Sequence, residues 1–229
     1  MKLELIVPTE LKDIPLKSYQ EFVKMRDASN DEDFVAQKMI EIFCGIELKD
    51  VVKMRLTDVD ALLVSFGKIF SEKPKFQHTF TLHGIDYGFI PNLEDISFEE
   101  FTNIEQLMKS WDTLHLAMAV MYRPITLTAK DKYEIMPYSY SEDMGEIFKY
   151  CPLDIALSAR VFFWNLAKEL LSAIPSYLEK EILKNPTLAK EVNSVNSGDG
   201  IHSITHLLTE SLKTLSEWDD ENLLKLSRS

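Results

Sequence analysis

The chemistry open to this chain rests on five histidines, two cysteines and one arginine set among apolar residues. His202 and His206 stand four apart with Glu210 one turn on, a spacing that presents two ring nitrogens and a carboxylate on one helix face, as a metal requires. HSITH lacks the glutamate of the HExxH pattern, however, and these residues lie opposite the apolar stripe of the same segment, so a solvated face is expected. His115 falls on the same side as Ile104, Met108, Trp111 and Met118, where a hydrogen-bonded core histidine is expected and a base or ligand role is the alternative. His78, His115 and Arg160 are the residues a small enzyme or ligand-binding cleft would draw on.

Other reactive patterns are weaker. Gly198-Asp199-Gly200 is too short for a phosphate loop, follows no predicted strand and reads as a hinge; GxxxxGK[ST] and GxGxxG do not occur. Calcium there is disfavoured because Val195 stands where an oxygen ligand belongs. The acidic clusters Asp31-Glu32-Asp33 and Glu99-Glu100 sit near predicted helix N-termini, where they complement the helix dipole. No GxSxG elbow occurs, and no serine or cysteine has a locatable histidine partner. Catalytic residues, cofactors and metal ligands are therefore not assigned. Arg160, amid Leu153, Ala156, Leu157, Trp164 and Leu171, aims a permanent charge at a core or an interface. A carboxylate partner is expected for it, within the chain or across a subunit contact, because an unpaired buried charge costs several kcal/mol.

The elements that position these residues follow from periodicity. Lys2 to Val7 alternates and reads as a strand before Pro8; Pro15 opens a helix to about Arg26, carrying Leu16, Tyr19 and Phe22. Ser29-Asn30-Asp31 supplies the cap of the next helix and Gly45 stops it. Thr57 and Asp60 have capping-box spacing ahead of one stripe formed by Val59, Leu62, Leu63, Phe66, Ile69 and Phe70. Phe76, His78, Phe80 and Leu82 alternate up to His83-Gly84, and Ile85, Tyr87 and Phe89 resume the alternation until Pro91, which predicts a hairpin. Ser97 and Glu100 repeat the capping-box spacing ahead of a short helix begun by Phe98 and Phe101; a longer helix is expected from about Asn103 to Pro124. Ile125–Thr128 and Tyr133–Met136 predict a second hairpin around Lys130-Asp131, Ser141 a further cap, and Leu153 to Ala173 a core helix after Pro152. The fold expected is α+β and predominantly helical, with a small antiparallel hairpin sheet and a C-terminal amphipathic helix. Residues 1–193 are expected to form one globular body, 194–200 a linker, and 201–229 a tethered segment whose stripe of Ile201, Ile204, Leu208, Leu212 and Leu215 suits docking on another chain.

Composition bounds the function. A net charge of -12 and a 45% hydrophobic content describe an acidic chain able to bury a sizeable core. That charge repels a phosphate backbone, so sequence-specific nucleic-acid binding is not expected, although an acidic wall suits a conduit through which DNA slides. Cys44 and Cys151 lack CxxC partners and fit a reducing compartment. No basic n-region with an apolar core stands at the start, and the uncharged run Thr113–Tyr122 is too short to span a bilayer; the chain is expected to be soluble and unsecreted.

Ile42-Phe43-Cys44-Gly45-Ile46, Tyr87-Gly88-Phe89-Ile90-Pro91-Asn92-Leu93, His115 through Val120, Tyr122-Arg123-Pro124-Ile125, and Pro152-Leu153 with Val161-Phe162-Phe163 together resemble a family of structural and assembly proteins of tailed bacteriophages, crAss-like phages included. The resemblance spans roughly residues 3–174. It implies a non-enzymatic part in building the particle: a virion component of the neck, tail or connector, with a tail assembly chaperone as the alternative. It implies other phage structural proteins as partners, a homo-oligomeric ring and assembly in the host cytoplasm. It transfers no catalytic residue.

Overall fold

The computed structural model of the chain describes residues 5–130, 132–139 and 142–166. The chain divides into two units, Met1–Arg160 and Val161–Ser229. Of the second, residues 161–166 are described; they are helical, with the rings of Phe162 and Phe163 edge to face at 5.8 Å.

The first unit is α+β and predominantly helical, with a small antiparallel sheet. Its first layer is helical. A 3-10 turn, Leu11–Asp13, leads through Pro15 into α1, Leu16–Ala28. Residues 5–9 join no strand, against the expectation for Leu5–Val7. Beyond Pro8 the Thr9 hydroxyl and the Thr9 and Glu10 amides converge on the Asp13 carboxylate and turn the chain into the helical layer. Asp31 caps α2, Glu32–Cys44, by accepting from the Phe34 amide, and Gly45 ends it at φ 64°. After α3, Leu48–Val51, comes α4, Leu56–Ser71. Thr57 does not cap it. The turn held by Lys53 N–H to Asp50 and Met54 N–H to Val51 delivers an extended Arg55 as the N-cap, so Thr57 already lies in the first turn. Phe22, Phe43, Phe66, Phe70 and Tyr19 form one aromatic cluster, with ring centroids 5.3–5.8 Å apart.

The sheet has the order β1-β2-β3-β4, with β1 Thr79–Leu82, β2 Ile85–Phe89, β3 Tyr122–Ala129 and β4 Lys132–Ile135, every pair antiparallel. The first hairpin turns on His83 and Gly84 at φ 51° and 80°, the left-handed pair that a two-residue loop needs. Its strand starts at Thr79, later than the alternation from Phe76 implied; the Phe89 amide still donates to the His78 carbonyl at 2.7 Å, and upstream the Gln77 carbonyl accepts from the Tyr122 hydroxyl at 2.6 Å. The two hairpins are joined by β2 and β3, which place Tyr87 opposite Pro124, Gly88 opposite Arg123 and Phe89 opposite Tyr122. A bulge between Ile125 and Leu127 bends β3, and Tyr133 of β4 reaches over β2 to donate to the Phe89 carbonyl at 2.8 Å. Gly88 makes room for it: a Cβ there would lie 2.4 Å from the Tyr133 ring.

Between β2 and β3 run α5, Phe98–Leu107, a 3-10 turn Trp111–Thr113, and α6, Leu114–Met121. The single long helix expected from Asn103 is thus broken, because Ser110 accepts from the Asp112 amide and caps a new turn while Thr113 donates to the Leu107 carbonyl. β3 begins at Tyr122, ahead of Pro124. α7, Glu142–Ile147, continues as a 3-10 turn Phe148–Tyr150 whose Phe148 packs under Phe80 and Tyr87. The helix expected over Leu153–Ala173 starts at Leu153 and is followed as far as residue 166, beyond which it lies outside the described residues. Its entry is bridged to the entry of α1: Leu16 N–H donates to Cys151 O and Leu153 N–H to Ile14 O, each at 2.9 Å.

Candidate functional site

α6 is apolar nearly all round and carries one imidazole inward. His115 is 6% exposed, and its Nδ1 lies 3.1 Å from the Gln20 side-chain nitrogen, which also donates to the Trp111 carbonyl. The amide can only donate there, so Nδ1 accepts and the neutral ring carries its proton on Nε2, 3.6 Å from Glu146. Burial holds the imidazole below its ordinary pKa, and the Lys149 charge adds to this against the opposing pull of Glu146 and Asp112. His115 is therefore the hydrogen-bonded core histidine expected of it. His78 is exposed, with its ring edge-on to Phe76.

A second buried polar centre was not read from the sequence. Glu100 and Arg123 are 6% and 8% exposed and pair at 2.9 Å. Glu100 also completes the capping box of α5, accepting from the Ser97 amide at 2.8 Å while its own amide donates to the Ser97 hydroxyl. One carboxylate thus caps a helix and clamps it to β3. Arg123 Nη2 makes the ion pair and its buried Nε has no hydrogen-bond partner among the described residues. The guanidinium lies 5.9 Å from the Tyr138 ring and lines a cavity of about 50 Å³ with Leu116, Val120, Met136 and Tyr138. The available signal was a lone arginine in the otherwise uncharged run from Thr113 to Ala129.

Arg160 is buried as expected, with its guanidinium 4.1 Å over the Trp111 ring. Tyr19 meets the same indole edge-on at 4.8 Å, and burial pushes its hydroxyl pKa up to about 12. Cation–π stacking on Trp111 is one contact that holds the buried Arg160. Cys44 and Cys151 are buried free thiols whose pKa values burial raises, which suppresses the reactive thiolate. Among the described residues no group of three or more His, Cys, Asp and Glu is placed to hold a metal, and no helix is long and apolar enough to cross a membrane. Ile201, Ile204, Leu208, Leu212 and Leu215, with His202, His206 and Glu210, lie outside the described residues.

No protein-family model, curated protein or solved structure matches the chain.

The apolar surface of α4 is the other feature with functional content. Of the stripe expected on it, Phe66, Ile69 and Phe70 are buried while Val59, Leu62 and Leu63 are only half-buried. Leu56 and Val64 are 74% and 59% exposed, and Val52, in the turn that precedes α4, is exposed as well. The hydrophobic face of this helix continues past the core that buries its C-terminal half.

Proposed function

We propose that this protein is a non-enzymatic structural component of a tailed-phage particle, in the neck, tail or connector region, acting through protein–protein contacts as copies in a ring. The observation that carries the assembly part is the uncovered N-terminal half of α4, where Leu56 is largely exposed and Val59, Leu62 and Leu63 are partly so. Apolar side chains left open along one helix face suit contact with another chain, since each large side chain removed from water contributes about 1.5–3 kcal/mol. The particle part rests on the resemblance borne by the stretches around Cys44, Gly88, His115 and Pro124. Two of those stretches are neighbouring strands, β2 and β3. A ring of copies would close by cyclic symmetry.

The test is mass spectrometry of purified particles combined with sedimentation of the isolated protein. A virion protein that self-associates supports the component. A monomer plentiful in infected cells and missing from mature particles would instead establish a tail assembly chaperone. The reading as a ligand-binding domain has one observation in its favour, the orphaned Arg123 Nε at the cavity. Titration with small carbonyl compounds, followed by the amide shifts of residues 116–138, decides that point.

A further inference from the structure

α5 presents Phe98 and Phe101, one turn apart on one face, 85% and 48% exposed. A phenylalanine that open to water is costly to keep, and two on the same helical face form an anchor pair of the sort that fills a partner's groove. Their presentation is rigid. The Ser97–Glu100 capping box fixes the first turn of α5, and Glu100 is in turn locked to Arg123 of β3. Glu94 and Asp95 lie on the turn just before, ordered by Asn92, which accepts from the Glu94 amide and donates to the Asp95 carboxylate. Glu99 flanks Phe98, while Glu105 is already paired with Lys109. From Phe76 to Met108 the chain contains no lysine or arginine.

We infer that this face docks a partner protein whose contact surface is basic and apolar together: an apolar groove that takes the Phe98 and Phe101 rings, rimmed by Lys or Arg that meet Glu94, Asp95 and Glu99. The charge pattern selects the occupant. A second copy packed about a two-fold axis would bring the same acidic rim against itself, and a ring neighbour, carrying the same net charge of -12, is a poor source of a basic rim, whereas a basic partner gains on-rate and register from opposite charge. Nucleic acid, with its phosphates, is repelled for the same reason. The surface lies on a different helix from the α4 stripe, so the two readings fail independently.

The probe is an amphipathic helical peptide of Leu and Lys, with a Leu and Glu peptide of the same pattern as its control. The full chain is expected to bind the Lys peptide at least about tenfold more tightly than the Glu peptide, with amide shifts confined to residues 93–107. Phe98→Ala with Phe101→Ala should weaken binding by roughly 10²-fold, the loss of two anchors each worth about 1.4 kcal/mol. Phe98 is 85% exposed, so Phe98→Ala alone should keep the wild-type melting temperature and still weaken binding about tenfold, while the half-buried Phe101 adds a small stability cost to the double variant. Glu94→Gln, Asp95→Asn and Glu99→Gln together should remove most of the salt dependence. Equal binding by the double alanine variant, or equal binding of both peptides, overturns the inference. So does a wild-type dimer that the alanine pair converts to monomer, because the occupant is then a second copy.

Discussion

His115 ties a pH dependence to a single side chain. Its imidazole is held below the ordinary value of 6.5, mainly by burial. A group with a lowered folded-state pKa favours folding fully above its unfolded pKa and loses that contribution as pH falls through 6.5 toward the folded value. The protonated ring would also turn an N–H toward the Gln20 amide that now donates to it. The melting temperature should therefore drop between about pH 7 and pH 5, and His115→Gln should flatten that drop when the two proteins are compared in thermal scans across the range. Arg123 and Glu100 make the sharper test of burial. Arg123→Met alone leaves a carboxylate stranded and should cost about 3–5 kcal/mol by urea unfolding. Replacing both, as Glu100→Leu with Arg123→Met, should recover most of the loss apart from about 1 kcal/mol for the broken capping box. Additive losses in that cycle would show that the pair is not coupled.

At the scale of elements, Gly88 and Tyr133 decide how the second hairpin sits on the first. Gly88→Ala would push a methyl group to 2.4 Å from the Tyr133 ring, so it should destabilise by about 1–3 kcal/mol. The same substitution made in a Tyr133→Leu background should cost clearly less, and denaturant midpoints of the four proteins give the coupling. Most elements were legible where local chemistry sets them: the Ser29-Asn30-Asp31 triplet, of which Asp31 is the cap, Ser97 at a cap, Gly45 at a stop, His83-Gly84 at a turn. The break between α5 and α6 was not, because Ile104, Met108, Trp111 and Met118 keep helical spacing straight across it and only the Ser110 and Thr113 hydroxyl bonds interrupt the backbone. Strand pairing was half legible. Each hairpin shows in its own alternation, but the β2–β3 pairing joins residues separated by the whole helical insert. The Glu100–Arg123 centre escaped for a related reason: Glu100 was already accounted for as a cap, and nothing local says that a cap carboxylate can serve a strand as well.

For the whole molecule, assembly should separate from folding. Leu56→Ser alters a side chain that is 74% exposed, so it should leave the melting temperature within about 1–2 °C while lowering the sedimentation coefficient toward that of a monomer. Deleting residues 194–229 should likewise leave cooperative unfolding intact and abolish self-association; loss of cooperativity in the truncated chain would assign the 201–215 stripe to the chain's own core. The bridge between Pro15 and Pro152 bears on how the protein is made. Leu11, Ile14 and Leu16, all buried in the finished fold, rest on a contact with Cys151 and Leu153 that lies roughly 140 residues downstream. At a synthesis rate of about 5–20 residues per second, the first helix leaves the ribosome roughly 7–30 s before the segment that seals it. During that interval an apolar N-terminus is open to proteases and holding chaperones. Ribosome-stalled chains ending near residue 145 should then be cut readily around residues 11–16, and chains long enough to expose residue 160 should resist.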